Sequence, residues 1–114
     1  GDRTPFRFNG NVINDGSIPN LPKDACVEIP VFADKDGIHK TIVGELPAHL
    51  AILVSTTAQI ENLVVRAAMT KSRADVYHAV MMDPLCSAVC SLQEIRDMCD
   101  LIFEKNTDYL GDYK

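Results

Sequence analysis

Asn14-Asp15-Gly16-Ser17-Ile18-Pro19-Asn20-Leu21-Pro22-Lys23-Asp24-Ala25-Cys26-Val27-Glu28-Ile29-Pro30 is the stretch on which the fold turns. Its first half concentrates turn-forming residues. Gly16 supplies a positive φ without steric penalty, and Pro19 and Pro22 keep the chain extended and out of any helix. From Ala25 to Ala33 the period is two: Cys26, Glu28 and Pro30 share one face, Val27, Ile29 and Val31 the other. The run therefore reads as a loop that delivers the backbone into a strand. Pro30 cannot donate to a ladder, which places that strand at a sheet edge or ends it there.

Upstream, Arg7 to Ile13 reads as a short strand closing on the Asn14-Asp15-Gly16 turn. Downstream, Asp34-Lys35-Asp36-Gly37 is a hairpin turn, with Ile38 to Val43 returning as the partner strand. After Pro47 the period lengthens. Leu46, Leu50, Leu53, Thr57, Ile60, Val64 and Ala67 step by four and three, the stripe of one long helix running to about Thr70. Pro47 suits its first turn, where a missing N–H is harmless. Ser72 followed by Asp75 predicts a second helix with Val76, Val80 and Met81 inward, and Pro84 either interrupts it or starts a short turn. Ser91-Leu92-Gln93-Glu94 is a capping box. It opens a helix with Leu92, Ile95, Cys99 and Ile102 inward, ending near Thr107, and the tail Gly111 to Lys114 is expected to fray. The fold class is α+β: short antiparallel strands and loops over 6–43, then about three helices over 47–109, in a single segment 1–114.

A chain of 114 residues suits one domain with one core. Its 46% apolar and 24% charged residues are ordinary for a folded soluble domain. The architecture is awkward by itself, because a sheet of two or three short strands is marginal without a partner layer. The long helix also needs more opposing surface than two shorter helices supply. Both points favour packing against a larger body or a second subunit, as in a homo-oligomer, and self-association of the isolated chain. Gly1-Asp2-Arg3-Thr4-Pro5 reads as chain continuing from an upstream part, although an expression scar also leaves a glycine there.

The net charge of -5, with no basic stripe, argues against nucleic acid as a partner. No uninterrupted apolar stretch approaches the ~20 residues that cross a bilayer; the longest is Leu50 to Val54, so no membrane partner is expected. The four cysteines form no C-x-x-C pair, and no histidine sits at ligand spacing from them. They read as reduced thiols in apolar surroundings, in a cytoplasmic protein.

Catalytic signatures are missing. His39 falls in the hairpin, His49 in the first turn of the long helix and His78 mid-helix. No serine stands in a nucleophile elbow and no Gly-x-Gly-x-x-Gly occurs. Glu94, Asp97 and Asp100 lie at helix spacing on a solvated face and do not make a two-carboxylate glycosidase pair. No catalytic, cofactor-binding or metal-binding residue is assigned. The polar cluster that stands apart is Arg7, Asn9, Asn11 and Asn14, of which the odd-numbered strand positions share a face. That face is either the hydrophilic side of an edge strand feeding an Asx turn or a hydrogen-bonding wall of a sugar or cofactor pocket.

Four blocks occur in order: Asn14 to Pro22, then Val27-Glu28-Ile29-Pro30, Val43-Gly44-Glu45-Leu46-Pro47 and Met82-Asp83-Pro84-Leu85. With Phe6 to Val12 ahead of them, they resemble the carboxy-terminal end of the family 4 glycoside hydrolases. Within that family the resemblance leans to the α-galactosidase and α-galacturonidase branch over the α-glucosidase and 6-phospho-glucosidase types. It implies the carboxy-terminal part of the substrate-side domain of a lactate/malate-dehydrogenase-like glycosidase. It further implies an enzyme that uses NAD and a divalent metal, manganese, to hydrolyse glycosides by oxidation, elimination, addition and reduction, an exception to the two-carboxylate scheme. The family's dinucleotide turn, metal ligands and general base belong to earlier portions of the enzyme. These residues alone are thus expected to be inactive and to bind neither NAD nor Mn2+, with any substrate contact coming from the Arg7 to Asn20 region. The competing reading is a free-standing, non-enzymatic interaction or oligomerisation domain.

Overall fold

Three strands and five helices follow one another along residues 4–114, the part of the chain that the computed structural model describes. They are β1 (Phe6–Ile13), β2 (Cys26–Asp34), β3 (Gly37–Lys40), α1 (Ala48–Thr70), α2 (Arg73–Met82), α3 (Pro84–Val89), α4 (Leu92–Lys105) and α5 (Thr107–Leu110). The chain divides into two compact units, one ending at Ala58 and the other running from Gln59 to Lys114. The length alone suggested one core. Instead each unit buries its own set of side chains.

In the first unit the sheet order is β1-β2-β3, antiparallel throughout, with Phe6 opposite Ala33 and Ile13 opposite Cys26. The alternation in β2 holds: Val27, Ile29 and Val31 are buried while Cys26 and Glu28 are exposed. β2 is nevertheless the central strand, not an edge, and it continues past Pro30 to Asp34. The proline is tolerated because of where its missing donor points. The Pro30 carbonyl accepts from Thr41 Oγ1 at 2.6 Å on the β3 side, and a strand residue presents its N–H and C=O to the same neighbour. The β2–β3 ladder reaches only the Val31–Lys40 pair, so the absent N–H falls just beyond its end. For the same reason β3 stops at Lys40, short of the expected Val43.

The inner face of this sheet is closed by Ile18, Leu21 and Ala25 from the loop and by Ala51 and Ala58 from α1, with Phe8, Val12 and Leu46 at the margin. The helix turns a different side to the core from the one its large residues suggested. Leu50, Leu53 and Thr57 are exposed, and the methyls of Ala51 and Ala58 face inward instead. Ile18 and Leu21 already occupy the inner face, so only small side chains let the helix approach it.

In the second unit the buried residues are Ala67, Ala79, Ile95, Cys99 and Phe103. α4 buries Ile95, Cys99 and Phe103 at intervals of four, while Leu92 and Ile102, both expected inward, are exposed. Val76, Val80 and Met81 are half-buried. Each start signal has a visible cause. Ser72 accepts from the Asp75 amide at 3.2 Å. Asp83 accepts from the Cys86 amide at 2.8 Å with Pro84 in the first turn, so the proline opens α3 and does not merely interrupt α2. The Ser91–Glu94 box is reciprocal, Ser91 N–H donating to Glu94 Oε2 at 2.8 Å and Glu94 N–H to Ser91 Oγ at 3.3 Å.

The tail is pinned, against the expectation of fraying. The Lys114 amide donates to the Lys71 carbonyl and the Arg73 amide to the Lys114 carbonyl, each at 2.8 Å. The Tyr113 ring lies 5.7 Å from that of Phe103, with the Lys71 ammonium 4.9 Å from the Tyr113 centroid. A local composition of Gly, Asp and Lys hides that anchor.

By length and composition α1 also passes the test for a membrane span, with a mean hydropathy of 1.2. Counting uninterrupted apolar residues missed this, because Ser55, Thr56, Thr57, Gln59, Glu61 and Asn62 break the run.

Candidate functional site

The loop after β1 is built around one amide. The ladder continues beyond the strand ends, with Asn14 N–H donating to the Ala25 carbonyl and Asp15 N–H to that of Lys23, both at 2.8 Å. Asp15 (φ 44°) and Gly16 (φ 90°) then turn the chain through the left-handed region. The segment from Ser17 to Pro22 contains two prolines and has no sheet partner, so its buried backbone groups need side chains to satisfy them. Asn14, fully buried, does this. Its Nδ2 donates to the carbonyls of Ile18 at 3.0 Å, Leu21 at 3.3 Å and Pro22 at 3.0 Å, and its Oδ1 accepts from the Ile18 amide at 2.7 Å. One planar amide can both donate and accept in this way.

A second asparagine fastens the loop to the segment leading into α1. Asn20 Nδ2 donates to the Leu46 carbonyl at 2.7 Å and its Oδ1 accepts from the Leu46 amide at 2.9 Å, a side chain imitating a strand partner. Beside it the Ser17 carbonyl accepts from the amides of Val43 at 2.8 Å and Gly44 at 3.3 Å, where Gly44 sits at φ 93°. Two of the sequence blocks, Asn14 to Pro22 and Val43 to Pro47, are thereby one physical object. Sequence reasoning missed Asn20; its position between Pro19 and Pro22 was the available signal.

Of the four singled-out polar residues, three share a surface. Arg7, Asn9 and Asn11 are exposed on the outer face of β1, opposite Phe32, Pro30 and Glu28 of β2. The fourth, Asn14, lies in the loop interior, and its amide is engaged by backbone. The outer face thus offers a guanidinium, two amides and the exposed Glu28 carboxylate in register with Asn11, a set that can exchange hydrogen bonds with a polyol. Glu28 was placed on this face by the alternation but not recognised as part of the cluster.

The remaining polar groups have local duties. His39 Nε2 lies 2.9 Å from Asp34 Oδ1, and this bond holds the Asp34 carboxyl below its ordinary range. His49 and His78 are exposed. The carboxylates read as a solvated face are engaged. Glu94 caps α4, Asp97 accepts from Gln93 at 2.7 Å, and Asp100 accepts from Tyr77 Oη and, at 3.3 Å, from Arg73. The bond to Asp100 raises the Tyr77 phenol above its usual range. All four cysteines are free, and Cys26 is exposed, contrary to the expectation of apolar surroundings for all. Among the described residues no three His, Cys, Asp or Glu side chains come together as a metal site, and no reaction step is drawn through a metal or a dinucleotide.

Residues 2–86 match the family model described as the family 4 glycosyl hydrolase C-terminal domain. An alpha-galactosidase of Bacillus subtilis (strain 168) is 43% identical over 110 residues, covering 96% of this chain and 26% of the relative. Among solved structures, a 6-phospho-alpha-glucosidase from gut microorganisms, in complex with NAD and glucose-6-phosphate, superposes with a TM-score of 0.84. It is 28% identical and is covered over 98% of this chain and 25% of its own. A second structure of 6-phospho-alpha-glucosidase from gut microorganisms, in complex with NAD and Mn2+, gives a TM-score of 0.81 at 25% identity, over 92% of this chain and 23% of that one. The chain spans about a quarter of the length of these proteins. The ordered blocks, the α+β architecture and the matched model agree: the chain belongs to the family 4 glycosyl hydrolases, as their C-terminal domain.

Proposed function

We propose that this chain is the C-terminal part of an NAD- and manganese-dependent enzyme that hydrolyses α-galactosides or related O-glycosides by oxidation, elimination, addition and reduction. The observation that carries the choice of substrate is the 43% identity to an alpha-galactosidase over nearly the whole chain, set against 28% and 25% to the phosphoglucosidases. In such an enzyme NAD accepts and returns a hydride and the metal acts as a Lewis acid. Both would be held by residues outside this chain.

The contribution of the chain itself is shape and hydrogen bonding. Arg7, Asn9 and Asn11 donate to sugar hydroxyls, and the adjoining loop, held rigid from within by Asn14 and from behind by Asn20, forms a fixed wall. Four unpaired thiols support a reducing, cytoplasmic compartment. The test is a chimera in which this chain replaces the matching 110 residues of the B. subtilis alpha-galactosidase. It is assayed on α-galactoside, α-galacturonide and 6-phospho-α-glucoside. The reading expects α-galactoside cleavage, with Arg7→Ala, Asn9→Ala and Asn11→Ala raising KM more than they lower kcat. Unchanged KM in all three variants would remove these residues from the substrate wall.

A further inference from the structure

The outer face of the sheet holds more than the polar residues of β1. Side chains paired across neighbouring strands share a face, so the Arg7–Phe32 and Phe32–His39 pairs make one row across all three strands. Phe32 stands in its middle, 38% exposed, with half-buried Pro30 next on the same face of β2. These two form an apolar line down the centre. Arg7, Asn9 and Asn11 border it on the β1 side and His39 on the β3 side. Arg7 is exposed and, among the described residues, forms no ion pair or hydrogen bond. His39 is oriented by Asp34. That carboxylate only accepts, so Nε2 donates to it at 2.9 Å, and in the neutral ring Nδ1 is left as an acceptor.

We infer that Phe32 is a stacking platform for the second sugar of an oligosaccharide substrate, which makes it a specificity-determining residue. The inference rests on the reading of this face as a substrate wall and adds what lies beyond galactose. An aromatic face is electron-rich, whereas a pyranose presents C–H hydrogens on its ring face and hydroxyls around its edge. An exposed ring flanked by a donor and an acceptor answers both parts. Adjacent strands lie about 4.8 Å apart, which sets Arg7 and His39 about 10 Å from each other, one at either edge of a sugar seated on Phe32. Along β1 the steps from Arg7 to Asn11 cover about 14 Å, more than a single pyranose occupies. Asn11 lies nearest the Asn14 to Pro22 loop. The galactosyl unit is therefore assigned to Asn9 and Asn11, and the sugar linked to it to Phe32, Arg7 and His39. Packed polypeptide suits this face less well, since it would desolvate a guanidinium, two amides and an imidazole together.

The test uses the chimera with the B. subtilis alpha-galactosidase. It compares kcat/KM on galactose α-1,6-linked to glucose with kcat/KM on methyl α-galactoside, which lacks the second ring. Phe32→Leu keeps apolar bulk and removes the π face. It is expected to lower the ratio of the two values about fivefold, through KM for the disaccharide, at an unchanged thermal midpoint. Phe32→Trp should restore the ratio, and Ile38→Ala, paired with Ala33 on the other face, should not move it. An equal loss on both substrates, or a clearly lower thermal midpoint for Phe32→Leu, makes Phe32 a packing residue and overturns the inference. Amide chemical shifts of the 114-residue chain titrated with the disaccharide give a reading independent of catalysis. Saturable changes at Arg7, Phe32 and His39 that vanish in Phe32→Leu support the platform, and a titration without them overturns it. A chimera that cleaves neither substrate removes the α-galactosidase reading, and the titration then decides the platform by itself.

Discussion

Replacing Asn14 by alanine should loosen the loop that joins β1 to β2. The amide serves three carbonyls and one N–H in a fully buried position. Its two Nδ2 hydrogens and one acceptor contact amount to three effective hydrogen bonds. At about 1 kcal/mol net for each, the loss is about 3 kcal/mol, and the stranded Ile18 N–H keeps it from being smaller. Against the 5–15 kcal/mol that holds a domain together, this is a large fraction. With a urea m-value of about 2 kcal/mol/M, the midpoint reported by β-sheet dichroism falls by about 1.5 M. The local signature is amide exchange. Ile18, protected in the wild type by Asn14 Oδ1, should exchange freely in Asn14→Ala even where the protein is fully folded. A stability change below about 0.5 kcal/mol, with Ile18 still protected, would refute the assignment of Asn14 as the organiser of the loop.

Further expectations concern the helical unit and the thiols. The Asp83 carboxyl is held below its ordinary value by bonds led by the Cys86 amide, and that of Glu94 by bonds led by the Ser91 amide. A depressed carboxyl stabilises fully above its unfolded-state pKa, and the contribution disappears as pH falls through the lower folded one. Thermal midpoints should therefore hold from neutral pH down to the ordinary carboxylate range and drop below it, and Asp83→Asn with Glu94→Gln should blunt that drop. Removing Tyr113 and Lys114 deletes three backbone hydrogen bonds, a ring contact with Phe103 and the Lys71 cation–π contact, for a loss of about 3 kcal/mol measured by urea titration followed at the remaining tyrosines. Towards a thiol reagent followed by mass spectrometry, exposed Cys26 should react first. Cys99, whose thiol burial pushes up, should react last, and Cys86, raised chiefly by its bond to Asp83, before it.

The parts of the fold legible in the sequence are those governed by local rules. Strand alternation placed Val27, Ile29 and Val31 inward, and the serine box placed the start of α4. The orientation of α1 was not legible. Periodicity weighs large apolar residues, whereas the sheet admits only Ala51 and Ala58, a constraint that arises from Ile18 and Leu21 elsewhere in the chain. Pro30 misdirected the position of β2 because a donor matters only on the side where a neighbour is waiting. The outer row of Arg7, Asn9 and Asn11 followed from a period of two. Asn14 and Asn20 did not, because their roles depend on carbonyls that only the folded loop brings within reach.

The central functional claim is that this chain completes an α-galactosidase whose reactive groups lie elsewhere. It is tested most directly by measuring α-galactoside hydrolysis with the chimera and with the 114-residue chain alone, each with and without NAD and Mn2+. The account predicts cleavage by the chimera only when both are supplied and none by the isolated chain. Cleavage by the isolated chain, or by the chimera stripped of NAD and metal, would contradict it.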